Sequence, residues 1–305
     1  MRARGRKPAS IVAVVAAALL LPATASASVL SPSQPSRQEL ERAIERTLAS
    51  GQQPRELKAP RPAWFTQAVE EQLRQGGGVA AAPVDAPLPG EVGIRPGSLM
   101  ISPFVCTMNF IFRSGETLAI GTAGHCVEAN EPVVLLTVAP TGGSPVLVEL
   151  GPVLLRRDSG IGQDYALVQI PPERHAWVFP TMPVVGGPCG IYAGDSAQPV
   201  AHYGHGLGIG TGGTPRVGMG FELGSDPGLV EDADWDWDED SIVWLGLITP
   251  GDSGSPVRTF GFPAVSNVTH GIALTGLEPS AVAWGTRVTT ITGGVWTLVN
   301  SPLCL

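Results

Sequence analysis

"ITPGDSGSPV", residues 248–257, sets Ser253 between two glycines with an aspartate directly before it. A serine hydroxyl is a weak nucleophile near neutral pH and acts only with a base beside it in space. The rest of the chain offers one. "IGTAGHCV", residues 120–127, puts His125 at the end of a strand-like run and beside a cysteine, and "GIGQDYALVQI", residues 160–170, puts Asp164 just ahead of an apolar run. The chain order is His, Asp, Ser, which separates this arrangement from other folds that build the same triad in a different order. Asp158 is a competing carboxylate, but "RRDSG" reads as a turn, and Asp164 is preferred.

Around these stretches the pattern from Ser98 onward is one of short β-rich runs broken by Gly and Pro, among them "VCTMNFIF", "TLAIGT", "PVVLLTV", "SIVWLGLI" and "AVAWGTRVTTI". Helical spacing is scarce there. Such runs suit one large or two small antiparallel barrels, over a length ample to bury a core. The segment before Ser98 differs. "SRQELERAIERTLASG" opens with Ser36 and Glu39 at capping-box spacing and carries Leu40, Ala43, Ile44 and Leu48 on one face, which predicts a helix. "RPAWFTQAVEEQLRQGGG" predicts a second, with Phe65, Val69 and Leu73 four apart and glycines as a stop. "GGGVAAAPVDAPLPGEVGIRPGS" then reads as a flexible linker.

The first residues have the form of a secretory signal: Arg2, Arg4, Arg6 and Lys7, an apolar run too short to span a bilayer, then Ala25-Ser26-Ala27 as a cleavage site. Export to the cell exterior is expected, with no membrane association after cleavage. The division that follows is a signal peptide at 1–27, a pro-segment and linker at 28–97 and a catalytic domain at 98–305. Removing four basic residues takes the net charge from −8 to −12, and from Ser98 onward there are seven Arg, no Lys and nineteen Asp plus Glu. A nucleic-acid binder needs a basic stripe to displace counterions, so nucleic acid is excluded as a partner. Cys106, Cys126, Cys189 and Cys304 form no CxxC pair and in an exported chain read as disulfides, with three pairings open.

"TAGHC", "DYALV" and "GDSGSP" together resemble the three signature blocks of the chymotrypsin-like (trypsin-like) serine peptidases, and the lysine-free, glycine-rich style resembles secreted bacterial members. The resemblance covers roughly residues 98–305. It implies an all-β fold of two six-stranded antiparallel barrels with the site in the cleft between them. It also implies His125 as base, Asp164 as its orienting partner and Ser253 as nucleophile, with the N–H groups of Gly251 and Ser253 as the oxyanion hole. By the same resemblance Cys106 pairs with Cys126, which leaves Cys189 for Cys304. Leu247, six before the nucleophile, falls at the floor of the primary pocket, and "LTG" and "VAWGT" give Leu274, Gly276 and Ala283 as its walls. These are uncharged, so cleavage after apolar residues of medium size is expected.

The function that follows is a secreted serine endopeptidase, made as a zymogen, acting as a monomer on protein or peptide substrates without metal or cofactor. The competing reading is an inactive binding protein on the same fold, which the presence of all three triad candidates disfavours. The chain departs from the family in two places: Ser255 stands where a second glycine is usual, and no "IVGG"-like start precedes the first barrel, so Asp252 lacks an amino-terminal partner. "EDADWDWDED", residues 231–240, holds seven acids in ten positions. It lacks the glycine and terminal glutamate of an EF-hand and reads as a solvated acidic loop rather than a calcium site. His175, His202, His205 and His270 read as ordinary polar or half-buried positions.

Overall fold

A computed structural model of the chain describes residues 54–194, 198–207, 216–224, 240–272 and 280–304, with residues 38 and 42 singly. The signal segment, most of the first expected helix and residues 231–239 of the acidic stretch lie outside the described residues. Gln38 and Arg42, from the expected helix, are helical.

The β-rich runs are strands. In chain order the first eleven are β1 (Arg55–Glu56), β2 (Ala59–Pro60), β3 (Val79–Ala81), β4 (Leu99–Ser102), β5 (Phe104–Thr107), β6 (Ile111–Ser114), β7 (Thr117–Thr122), β8 (Val134–Val138), β9 (Pro145–Glu149), β10 (Val153–Asp158) and β11 (Asp164–Gln169). They are followed by β12 (Gln198–Gly204), β13 (Arg216–Gly224), β14 (Ser241–Ile248), β15 (Pro256–Thr259), β16 (Ala264–Asn267), β17 (His270–Gly271), β18 (Ser280–Thr286) and β19 (Thr297–Leu298). Between the described strands lie two short α-helices, α1 (Gln67–Gln75) and α2 (Val288–Ile291). The first lobe is a six-stranded sheet, β2-β5-β4-β8-β9-β3, and a five-stranded sheet, β10-β11-β7-β6-β19; the second is an eight-stranded sheet, β1-β17-β18-β14-β13-β12-β15-β16. Every ladder between these strands is antiparallel. The fold is all-β as expected, but the described strands form three open sheets rather than two closed six-stranded barrels.

Runs such as "PVVLLTV" show no apolar-polar alternation because both faces of their sheet are covered. On β8, Leu135 points into the first lobe's core with Met100, Ile120 and Val148, whereas Val134 and Leu136 point the other way, onto Phe65, Val69 and Leu73. Successive strand side chains alternate faces, so a strand buried on both sides reads as continuously apolar. The outer cover is α1, whose Val69 and Leu73 are the buried residues the four-residue spacing picked out. It ends at Gly76, and the Gly78 N–H turns back to the Leu73 carbonyl at 2.8 Å.

Two expectations for the region before Ser98 give way here. The "linker" is ordered: β3 pairs with β9, Glu91 and Ile94 are fully buried, and the Gly93 and Val138 backbones are hydrogen-bonded. Ser98 is likewise no structural boundary, since β2 and β3 form the two edges of the six-stranded sheet. A third cluster joins the lobes, with Phe110, Phe112 and Leu167 of the first packed against Tyr203, Ala264, Val288 and Ile291. The second lobe's core holds Val200, Ile242, Trp244, Ile248, Val257, Val265, Val268 and Ala283, together with Leu57 from the N-terminal segment. No described helix is long and apolar enough to cross a membrane.

Candidate active site

His125 lies in a single 3-10 turn, Gly124–Cys126, directly after β7, and Asp164 opens β11, which pairs with β7. Adjacent strands thus deliver both side chains to one end of the first lobe. Their imidazole and carboxylate meet at 2.6 Å between Nδ1 and Oδ2, and the His125 backbone N–H donates to the other oxygen at 3.0 Å. A carboxylate only accepts, so Nδ1 carries the proton and Nε2 presents its lone pair. That lone pair faces Ser253 Oγ at 2.7 Å. All three residues are buried.

Asp164 is tied from the second lobe as well. Thr286 Oγ1 accepts from its N–H at 3.1 Å, and Asn267 Nδ2 donates to its carbonyl at 3.1 Å. Burial alone would raise the carboxyl's pKa; the His125 charge and hydrogen bond, with His270 beyond, outweigh burial and hold it below the ordinary carboxylate range. Neither Thr286 nor Asn267 sits in a recognisable motif, and sequence reading passed over both.

The loop before Ser253 turns a backbone N–H into the cleft. Gly251 has φ of 101°, a conformation open to glycine and strained for other residues. Its carbonyl is turned away, accepting from Thr107 Oγ1 at 2.9 Å, and its N–H donates to a carbonyl oxygen in the cleft, that of Leu57. Asp252 holds this shape: its buried carboxylate accepts from the N–H groups of Gly206 and Thr249, each at 2.9 Å. Backbone donors therefore stand where the missing amino-terminal partner was expected. Ser255, the other departure from the family pattern, is buried beside Gly204, where any Cβ would come within 2.3 Å of its hydroxyl.

His270 is not the ordinary polar position its sequence context suggested. It packs edge-on to the His125 ring at 5.9 Å between centroids, with Nδ1 at 2.9 Å from Thr269 Oγ1 and 3.6 Å from Asp164 Oδ2. Burial, reinforced by His125 and opposed by Asp164 and Glu56, pushes its pKa down to about 4. His202 and His205 are also fully buried rather than half-buried. Asp158, the competing carboxylate, is paired with Arg156 and makes no contact with His125.

The expected pocket residues fare unevenly. Ala283 is fully buried in the cluster that contains Leu57. Leu247 is 45% exposed, so it does not floor a buried pocket; the neighbouring buried residue, Ile248, belongs to Leu57's cluster instead. Leu274 and Gly276 lie outside the described residues, and the cleft wall that pairs with the N-terminal segment is formed by Thr269, His270 and Gly271. A "THG" so close to a plausible "LTG" is a five-residue displacement that spacing alone does not resolve. Both disulfides, Cys106–Cys126 and Cys189–Cys304, are formed. The first pins the turn that carries His125.

No protein-family model and no curated protein matches this sequence. Solved structures show similarity over part of this chain. A glutamic acid-specific serine protease described as using a histidine triad in substrate binding is 16% identical, with a TM-score of 0.47 over 68% of this chain and 100% of its own. Cellulomonas bogoriensis chymotrypsin is 15% identical, with a TM-score of 0.43 over 70% of this chain and 99% of its own. An HL collagenase is 19% identical, with a TM-score of 0.47 over 65% and 88% respectively. All three similarities lie below 20% identity and below a TM-score of 0.5.

Proposed function

We propose that this protein is an exported serine endopeptidase that cleaves peptide bonds through an acyl-enzyme, with Ser253 as nucleophile, His125 as general base and acid, and Asp164 as the group that fixes the imidazole. The observation that carries the reading is the unbroken buried line from Asp164 Oδ2 through His125 to Ser253 Oγ, with links of 2.6 and 2.7 Å. In the first step Ser253 Oγ bonds to the substrate carbonyl carbon as its proton passes to Nε2. The Gly251 N–H meets the oxyanion, a kind of contact worth about 3 kcal/mol of barrier per donor in other enzymes. Collapse breaks the C–N bond, and His125 returns the proton to the leaving nitrogen. Water then attacks the acyl carbon, His125 takes one of its protons, and the serine is restored.

Protein and peptide substrates follow from the chemistry, and the same apolar cluster that holds Leu57 supports cleavage after apolar residues. The two disulfides and the signal-like N-terminus support action outside the cell. A fluorophosphonate probe tests the central assignment: labelling at Ser253 is expected, and its absence from the Ser253→Ala variant is the control. A processed wild-type chain that took no label would remove the peptidase reading in favour of an inactive binder.

A further inference from the structure

The N-terminal segment crosses the cleft as a substrate would. Arg55 and Glu56, forming β1, pair antiparallel with Gly271 and His270 at the edge of the second lobe. The next N–H, that of Leu57, donates to the Thr269 carbonyl at 3.2 Å and to Ser253 Oγ at 3.1 Å. The Leu57 carbonyl accepts from the Gly251 N–H, the donor assigned above to the oxyanion. Its side chain is 1% exposed and packs in the apolar cluster with Ile248, Val268 and Ala283. On the far side of the nucleophile, Lys58 Nζ lies 3.5 Å from the His125 carbonyl, 3.0 Å from Glu56 Oε2 and 4.5 Å over the Phe104 ring. Ala59 and Pro60 then join the first lobe as β2 against β5. One segment thus runs from the second lobe to the first through β1 and β2, with the Leu57–Lys58 peptide over Ser253.

We infer that the chain is its own first substrate: Ser253 cuts the Leu57–Lys58 bond within the same molecule, and the mature protein begins at Lys58. The inference rests on the peptidase reading above and adds the bond, the direction and the molecularity. Ser253 Oγ attacks the Leu57 carbonyl carbon, His125 passes the serine proton to the Lys58 nitrogen as the C–N bond breaks, and water releases Leu57 as a carboxylate. Holding the peptide between Thr269, Gly251 and Ser253 makes the step unimolecular, which removes the entropy cost of an encounter. Before the cut, the same contacts close the cleft to other substrates. Afterwards only the residues before Lys58 are free to leave, because β2, α1 and β3 remain part of the first lobe. The expected pro-segment boundary at 97 therefore moves to 57.

The test follows the full-length chain after dilution from denaturant or during secretion, by intact mass and N-terminal sequencing. The expected result is a new N-terminus at Lys58, formed at a rate unchanged over a hundredfold range of chain concentration, and complete loss of the cut in Ser253→Ala. Leu57→Asp, which sets a charge in the apolar pocket, should slow the cut at least ~100-fold. Because that variant can fail to fold, Lys58→Pro is tested beside it; it keeps Leu57 in place and turns the bond into a tertiary amide without an N–H, and the cut should be lost. Ser253→Ala mixed with wild type should stay whole, its own segment occupying its own cleft. A chain that remains intact, is cut elsewhere, or is cut at a rate proportional to concentration overturns the inference. In those cases fluorophosphonate labelling of Ser253 leaves the peptidase reading standing, whereas a chain whose N-terminal segment has been removed by an added protease and which still takes no label removes it as well.

Discussion

Glu91 and His205 are fully buried and meet at 2.9 Å between Oε1 and Nε2, although one comes from the Gly/Pro-rich segment before the first lobe and the other from the loop after β12. The same imidazole nitrogen also lies 2.8 Å from the Gly97 carbonyl, and the His205 N–H donates to Thr107 Oγ1 at 3.1 Å. Thr107 in turn holds the Gly251 carbonyl. Two side chains thus connect residue 91 to the oxyanion loop. Removing one partner of a buried hydrogen bond typically costs ~1–3 kcal/mol. Glu91→Ala is therefore expected to lower Tm by roughly 5 °C and to reduce kcat, read by calorimetry and steady-state kinetics on a peptide ester. A variant with wild-type Tm would mean that this segment is dispensable.

His270 makes stability depend on pH in a stated direction. Unfolded, it titrates near 6.5; folded, burial holds it at about 4, with Asp164, His125 and Glu56 as the charged groups facing it. The unfolded chain then binds more protons between these values, so the contribution is fully present above pH ~6.5 and is lost as pH falls toward 4. The loss amounts to about 3 kcal/mol at 1.36 kcal/mol per unit. Urea melts at pH 7, 5.5 and 4 should show this slope, and His270→Phe should flatten it. An equal slope in that variant would assign the dependence to other groups.

Asp164→Asn tests the orienting role. The amide offers the imidazole a donor as readily as an acceptor, so Nε2 no longer reliably presents its lone pair to Ser253. In a serine peptidase this change lowers kcat by ~10⁴ with geometry kept. A comparable fall in kcat, with KM little altered, is expected here; activity within tenfold of wild type would show that another group fixes His125.

How much of this was written in the sequence differs by the kind of interaction. His125, Asp164 and Ser253 were legible because their neighbours are demanding: a positive-φ glycine, a cysteine that pins a turn, a strand start. The α1 helix was legible because Phe65, Val69 and Leu73 repeat at the helical period. Strand β1 was not, since "PRELKAP" carries no alternation and its conformation is set by backbone bonds to a strand more than two hundred residues away. The ordered "linker" was hidden for a related reason: backbone pairing of Val79–Ala81 and one buried carboxylate hold a stretch whose composition reads as flexible. Leu247, expected at a pocket floor, is exposed while Ile248 beside it is buried, because on a strand a one-residue step moves a side chain to the opposite face.

Gly254 tests how closely the nucleophile loop approaches the first lobe. It has φ of 86°, and an added Cβ would lie 2.0 Å from the Thr107 carbonyl oxygen and 2.3 Å from Thr122 Oγ1. Neither neighbour can yield easily, because the Thr107 N–H is bonded to the Ser253 carbonyl at 2.7 Å and Thr122 Oγ1 to the Thr107 carbonyl at 3.1 Å. Gly254→Ala is expected to lose at least 2 kcal/mol, from strain and overpacking together, and to lose nearly all turnover. Denaturant melts measure the first and burst titration of active sites the second; a stable, fully titratable variant would contradict the described packing.

The residue preferred before the cut follows from what Leu57 occupies. Its side chain sits at 1% exposure in an apolar cluster with Val200, Ile242, Trp244, Ile248, Val257, Val265, Val268 and Ala283, beside which the buried His202 ring lies 5.3 Å from that of Trp244 with Nε2 at 3.3 Å from the Leu247 carbonyl. A substrate side chain entering it exchanges water for apolar contact, so Leu and Met gain the full benefit of burial while a smaller Ala forgoes ~1–3 kcal/mol, or about 10- to 200-fold in kcat/KM. An Arg or Lys there would bury a charge without a counter-ion, a cost well above that range. Phe adds bulk to a pocket already filled by leucine and is expected to fall behind Leu for steric reasons. Glu and Asp are expected to fail with the cations, although His270 borders the cleft, because burial keeps that imidazole neutral well below pH 7. Profiling the processed protein on a peptide library with Ser253→Ala as control should therefore rank Leu and Met first. A library in which Arg, Lys or Glu before the cut gave the fastest hydrolysis would mean that substrates take a different pocket from the one Leu57 fills.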